Sequence, residues 1–343
     1  MLLDLSVELL ETIGAQLMRN DQAVLRSVCK TLDGAVGRLF FSTLLLKIDS
    51  KRTISRFGKL EVLASGPTGW SLHANTLVVV LEPRWTGMMS LSQPPQATEN
   101  WSALDDSLAD VLTRALATLT KIRTVRYNHW QSDSDHVDSW TWGRSVFLDF
   151  LNKSATLEEL ELDIPRMLDV SGLQVRNLRK LTLKLNPKPD WRAVPLPQTG
   201  TPVYQTFANL ILAQNRLSAL HLEGDAEWSA VWRILRSTRH CMKPVEITTN
   251  VVTQELFSYL TSFSGLEKLT LRSPDGGNLD ASNRLADAFF ETILPSHAES
   301  LTELSCPAAH ESRFSFGTHN VHVALLEREW RGREEQSWEH DTR

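Results

Sequence analysis

The chain has 343 residues, 42% of them apolar and 22% charged, with a formal net charge of −5. That make-up permits a sizeable folded core, and its interspersed signs exclude the basic footprint of a nucleic-acid binder or of a protein drawn to anionic membranes. The most apolar short run, Leu77-Val78-Val79-Val80-Leu81, is far too short to cross a bilayer, and Asp4, Glu8 and Glu11 interrupt what a secretory leader would need.

From Leu5 to about Phe40 the apolar spacing is helical. Leu10, Ile13 and Leu17 recur at i, i+3 and i+7, with Leu9 beside them. After the polar break Arg19-Asn20-Asp21, the row Leu25, Val28, Cys29, Leu32 and Val36 continues the period. Two helices are predicted. Ser6 is the expected N-cap of the first, and Asn20 or Asp21 of the second, because their side-chain oxygens accept orphan amide protons. Cys29, placed in the apolar row, reads as a small buried hydrophobe. So small a segment buries little surface by itself. It either caps the repeats that follow or docks on another chain.

The order Leu5-Ser6-Val7-Glu8-Leu9-Leu10, Ile13, Leu17, Asp21, Leu25-Arg26-Ser27-Val28-Cys29-Lys30 resembles the F-box, which opens with Leu-Pro-x-Glu and closes with a Val-Cys pair and a basic residue. The resemblance covers roughly forty residues. It implies docking onto the Skp-family adaptor of a cullin-based ubiquitin ligase, with Leu5, Ser6, Glu8, Leu9, Ile13 and Leu17 on the opening half and Leu25, Val28 and Cys29 on the closing half. Ser6 stands where the family has proline, and Leu32 near a position often held by an aromatic residue. Either departure could weaken docking.

Further along, the pattern apolar-x-x-apolar-x-apolar recurs at Ile122/Val125/Tyr127, Leu157/Leu160/Leu162, Leu178/Leu181/Leu183, Leu217/Leu220/Leu222, Met242/Val245/Ile247, Leu266/Leu269/Leu271 and Leu301/Leu304/Cys306. Most of these short strands follow an amphipathic helical run. Leu108, Val111, Leu112, Ala115, Leu116 and Leu119 form the longest such run, and Trp228, Val231, Trp232 and Leu235 form another. Others begin at Phe147, Phe207, Leu256 and Leu285. Helix followed by strand, repeated, predicts a parallel sheet with helices on one side, curved because the helix side is wider. Leu44, Leu46 and Ile48, then Leu77 to Leu81, alternate or run like two earlier strands.

This region resembles the leucine-rich repeats that commonly follow an F-box, especially the irregular versions found in fungi. The fold class implied is α/β: a helical F-box, then a curved leucine-rich-repeat solenoid with a parallel sheet on the concave side and helices on the convex side. The expected parts are residues 1–42 as F-box, 43–104 as degenerate first repeats, 105–310 as solenoid and 311–343 as a charged tail, with a helix around Val321 to Trp330. The family's turn asparagine appears only as Asn186 and Asn250, with Asp225 as one substitute, so an uneven coil is expected. Two insertions stand out. Residues 186–202 carry Pro187, Pro189, Pro195, Pro197 and Pro202, which no helix or central strand accepts. Residues 128–142 carry Trp130, Trp140 and Trp142.

Signals of chemistry are sparse. Asp275-Gly276-Gly277-Asn278 reads as a turn rather than a phosphate loop, and His319-x-x-His322 and His240-Cys241 lack the paired spacing of a zinc site. Cys29, Cys241 and Cys306 are far apart and odd in number, which does not suggest a disulfide framework. No catalytic residue, metal or cofactor is expected, and the expected location is the cytoplasm or nucleus. Alternation points Glu159, Glu161 and Asp163 outward, next to a basic row of Lys180, Thr182 and Lys184 in the following unit. The set reads either as a self-neutralising ladder or as a reader of target charge. Arg126, Glu161, Lys184, His221 and Arg272 on the sheet, with Trp130, Trp140 and Trp142 in the loop, are the candidate target-binding residues. The loop indoles either bind or fold back to seal the core. The function implied is target recognition within an SCF-type ubiquitin ligase, the Skp-family adaptor linking the chain to a cullin. The alternative is a repeat scaffold without that association.

Overall fold

A computed structural model describes residues 5–49, 53–82, 101–129, 141–165, 172–186, 202–224, 228–238, 242–308 and 312–315. These divide into two compact units, one up to Asp163 together with Gly172–Val175 and the other the remainder. Helices and parallel strands alternate in both. The α/β reading and the all-parallel pairing therefore stand.

The first unit holds α1 (Val7–Ala15), α2 (Arg19–Val28), α3 (Lys30–Phe41), β1 (Thr43–Asp49), α4 (Thr53–Ser65), α5 (Gly69–His73), β2 (Thr76–Glu82), α6 (Trp101–Ala117), β3 (Thr124–His129), α7 (Thr141–Lys153) and β4 (Glu159–Pro165). Strands β1 to β4 pair in chain order. Register sets Leu44, Leu77, Val125 and Leu160 in one inward row, all of them buried. A second row runs through Leu46, Val79, Tyr127 and Leu162. Tyr127 stacks on Phe147 of α7 at 5.1 Å, which fixes the side on which that helix lies. The α6 run from Leu108 to Leu119 is buried at every predicted position.

The second unit holds β5 (Lys180–Asn186), α8 (Pro202–Leu212), β6 (Ala219–Glu223), α9 (Trp228–Ser237), β7 (Glu246–Thr249), α10 (Gln254–Leu260), β8 (Lys268–Leu271), α11 (Leu279–Ala288), a π-helical turn (Phe289–Ile293), α12 (Leu294–His297) and β9 (Glu303–Ser305). Leu181, Leu220, Ile247, Leu269 and Leu304 form its inward row. Trp228 and Trp232 are fully buried. Trp228 packs on Phe207 at 5.7 Å and Trp232 on Tyr259 at 5.2 Å, and the Trp228 indole donates to Glu223 O at 2.9 Å.

Strand starts share one device. A single carbonyl accepts two successive amides of the next coil. Ser42 O takes Asn75 and Thr76, Asn75 O takes Arg123 and Thr124, and Arg123 O takes Glu158 and Glu159. In the second unit Arg179, Ser218, Val245 and Glu267 do the same. This backbone stitching ties each coil to the next at its strand start. Asn250 still contributes, since its amide clasps the Gly224 backbone through N–H and C=O, each at 2.8 Å. Gly224 has φ of 124° and lies against Leu185, a placement closed to residues with a Cβ. Asn186 ends β5, while Asp225 and most of the proline insertion lie outside the described residues.

Several expectations need correction. The N-terminal segment has three helices, not two, because Cys29 is extended (φ −160°, ψ 164°) and starts α3. The apolar period runs in phase through that break, so spacing could not reveal it. Met18, not Asn20 or Asp21, takes the N-cap of α2, and it makes no side-chain cap bond. In the fifth repeat Ile247 lies opposite Leu220 and Leu269, so the triplet is Pro244/Ile247/Thr249 rather than Met242/Val245/Ile247. Buried Thr249 occupies an apolar position because the Val251 amide satisfies its hydroxyl at 3.2 Å. Helices α4 and α5 fall where the sequence offered strands alone. Finally, the ordered pattern does not end at Glu311. Phe314 is fully buried against Phe289 and Phe290, and the Arg313 guanidinium pairs with Asp287. The helix expected around Val321 to Trp330 lies outside the described residues.

Two measurements test this core. Phe314→Ala should lower stability by about 3–5 kcal/mol through lost burial and an unfilled cavity, read as a lower urea midpoint; an unchanged midpoint would place Phe314 outside the core. Buried His297 bonds Leu260 O at 3.1 Å, and burial holds its pKa below the ordinary 6.5. Its contribution is therefore fully present above pH 6.5 and lost as pH falls through the lowered folded value. Urea midpoints should decline over that acidic range, and His297→Gln should flatten the decline.

Candidate functional site

The N-terminal helices bury Leu10, Leu32, Ala35 and Val36 among themselves, with Leu25 and Cys29 partly buried against them. Ser6 caps α1 by accepting from Leu9 N at 3.4 Å, so the residue that departs from the F-box pattern still starts the helix. Glu8, fully exposed, has its carboxyl held below 4.5 by hydrogen bonds to its own backbone and to Ser6. Leu32, the other departure, is a core residue. It alters the interior and not the outer face.

What these helices leave outside is apolar. Leu9 is 52% exposed, Ile13 42% and Val28 65%, with Leu5 exposed as well. Val7, Met18 and Val24 join them, and none of these three was singled out from the sequence. Val24 and Val28 stand four apart on α2, a spacing that signals a shared helix face. Of the positions mapped by resemblance, Leu5, Ser6, Glu8, Leu9, Ile13 and Val28 are exposed, Leu17 is half-buried, and Leu25 and Cys29 face partly inward. Fully covering a leucine or isoleucine side chain is worth about 1.5–3 kcal/mol. This cluster can therefore drive association with a complementary apolar partner.

The open faces of the strands, opposite the helices, are different in kind. In the first unit Arg126 lies 3.5 Å from Glu161, and the Thr124 hydroxyl donates to Glu159 at 3.3 Å. In the second unit Glu223 is the centre. Lys184 is its register neighbour, Arg272 pairs with it at 2.9 Å, and His221 is two residues before it on β6. His221 in turn meets Glu246 at 2.6 Å, and Lys268 meets Glu303 at 3.0 Å. Lys184, His221 and Arg272 are thus brought together, as are Arg126 and Glu161. Flanking His221, Thr182 and Thr248 are buried although they point to the open face. Among the described residues several charged side chains there are matched acid to base, which leaves a polar contact surface of mixed sign. Trp130 and Trp140 lie outside the described residues; Trp142 belongs to the first turn of α7, its side chain likewise outside them.

Burial lowers the His221 pKa below 6.5, while the bond to Glu246 works against that shift. Burial also pushes the Cys306 thiol up to about 12, which keeps it a protonated, weakly nucleophilic group. Among the described residues no cluster of three or more His, Cys, Asp or Glu side chains is placed to hold a metal ion, and no helix is long and apolar enough to cross a membrane. His240, Cys241, His319 and His322 lie outside the described residues. No family model matches the chain, and no curated protein matches it.

The His221–Glu246 couple has a direct check. Glu246→Gln removes the interaction that raises the His221 pKa, so the imidazole proton resonances should titrate at still lower pH than in the parent chain. A midpoint that stays put or rises would mean that Glu246 is not its partner.

Proposed function

We propose that the chain is a substrate-recognition subunit of an SCF-type ubiquitin ligase. In this reading the exposed face of α1 and α2 docks on a Skp-family adaptor and, through it, a cullin. The strand–helix units act as irregular leucine-rich repeats that hold a target protein. Arg126, Glu161, Lys184, His221 and Arg272 are then target contacts. The chain supplies no catalytic group of its own; holding the target near a ubiquitin-charged enzyme raises effective concentration. It would work in the cytoplasm or nucleus.

One observation carries the reading. Leu5, Leu9, Ile13 and Val28, which fall on the F-box-like positions, are exposed, while Leu10, Leu32 and Val36 are buried. A segment that served only as a cap would turn its largest apolar side chains toward the repeats. Further support comes from the parallel order of the strands and the backbone stitching at each strand start, both in keeping with a repeat architecture. The second reading, a repeat scaffold without ubiquitin-ligase association, is favoured by Ser6 in place of the family's proline.

The test is association with a purified Skp-family adaptor. Leu9→Asp combined with Ile13→Asp should weaken binding by at least about tenfold, equivalent to about 1.4 kcal/mol, with the melting temperature nearly unchanged because both side chains are exposed. If the intact chain fails to bind the adaptor, the scaffold reading replaces the proposal.

A further inference from the structure

The apolar face of α1 and α2 is built into the first repeats through a compact joint. Phe41 ends α3, and Ser42 alone separates it from β1. The Phe41 ring meets Trp70 of α5 edge-on at 5.1 Å. The Arg26 guanidinium of α2 lies 4.2 Å from the Phe41 ring centre and 4.6 Å from that of Phe40. Its Nε is fixed by Asp33 at 2.8 Å. Gly69 forms the seat, since any Cβ there would fall within the van der Waals shell of the Phe41 ring. The Trp70 Nε1 is buried without a hydrogen-bond partner among the described residues, so close packing rather than polar bonding sets the indole's position.

Other contacts make the helices move together. Gln22 Nε2 donates to Gly14 O at 3.0 Å and to Leu17 O at 3.2 Å, tying the turn between α1 and α2. Gly14 itself lies against Val36 of α3. Arg19 Nη2 donates to Thr43 O at 2.9 Å, at the start of β1. A pivot of α1–α3 on the first strands would have to unseat Phe41 from Trp70 and Gly69 and lose that bond at once. A slip of α2, with its apolar face, on α3 would have to break the Arg26 stack.

We infer that Arg26, Phe41, Gly69 and Trp70 are positioning residues that hold the exposed apolar face at one fixed bearing relative to β1 and β2. With the adaptor reading of the preceding subsection as premise, the docked adaptor inherits that bearing on the first strands, and the joint sets it without touching the adaptor. N-terminal helices and first strands are then one rigid body, not a module on a tether.

Spin labels test this on the full chain with Cys29, Cys241 and Cys306 replaced by serine, carrying Ala15→Cys on α1 and Ala117→Cys on α6, two exposed sites. Double electron–electron resonance should give one narrow distance distribution. Gly69→Ala should shift it or broaden it at least twofold, with helix content by circular dichroism retained and adaptor affinity within twofold of the parent. Arg26→Met, which adds no clash, should broaden it in the same sense and decides the matter if Gly69→Ala does not fold. A parent distribution already broad, or an unchanged one in Arg26→Met and any folded Gly69→Ala, would overturn the inference, even if both variants melt earlier, because that is the mark of a merely structural role. Failure of the unsubstituted chain to bind adaptor would remove the docking premise but leave the distance result to judge the joint on its own.

Discussion

Parallel strands that pair in register must carry their side chains in rows, and every inward row has to be covered to stay out of water. That constraint organises both units. Leu44, Leu77, Val125 and Leu160 share one row in the first, and Leu181, Leu220, Ile247, Leu269 and Leu304 share one in the second. A parallel connection has to travel back along the sheet, and the helices that make that return supply the cover, as Phe147 against Tyr127 demonstrates. The coils tolerate unequal lengths because their corners are held by backbone carbonyls, each accepting two amides. At the opposite strand ends, among the described residues, Asn250 keeps a clasp of the kind a regular repeat would use.

Once the inward rows are covered, two kinds of surface remain. The open strand faces are polar and matched, acid to base, through exposed pairs that each contribute about 0–1 kcal/mol. They favour contact with a complementary protein surface over capture of a small apolar ligand. The N-terminal helices are the opposite case. Their core is small, and a row of aliphatic side chains from Leu5 to Val28 stays in solvent. Apolar exposure on that scale in so short a segment is the feature an isolated chain gains least from, and a partner gains most from.

Much of this was legible from letters alone. Buried helical positions from Leu108 to Leu119, and the Trp228–Trp232 pair, follow from strict periodicity. Six of the seven predicted strand triplets lie in register, because leucine and valine fill their inward positions. The seventh slipped where proline and threonine took apolar places. Hydrophobicity cannot detect a threonine whose hydroxyl is satisfied locally, as Thr249's is. The break at Cys29 escaped notice for a different reason: an extended residue between two helices need not disturb the apolar phase. Phe314 was hidden by the charged residues around it. The candidate surfaces were half visible. Spacing set Leu10, Ile13 and Leu17 in one apolar stripe with Leu9 beside it, but only the packed arrangement separates them, burying Leu10 while Leu9 and Ile13 stay outside. The Arg26, Phe41 and Gly69 joint depends on contacts between α2, α3 and α5 that no local pattern encodes.

The outward aliphatic face of α1 and α2 is proposed as an interface for another polypeptide. Hydrogen–deuterium exchange of the intact chain, alone and with saturating Skp-family adaptor, measures that most directly. The predicted result is slowed exchange confined to peptides spanning residues 5–29, with the strands unaffected. Equal exchange in both samples, or protection appearing only on the strand–helix units, would contradict it.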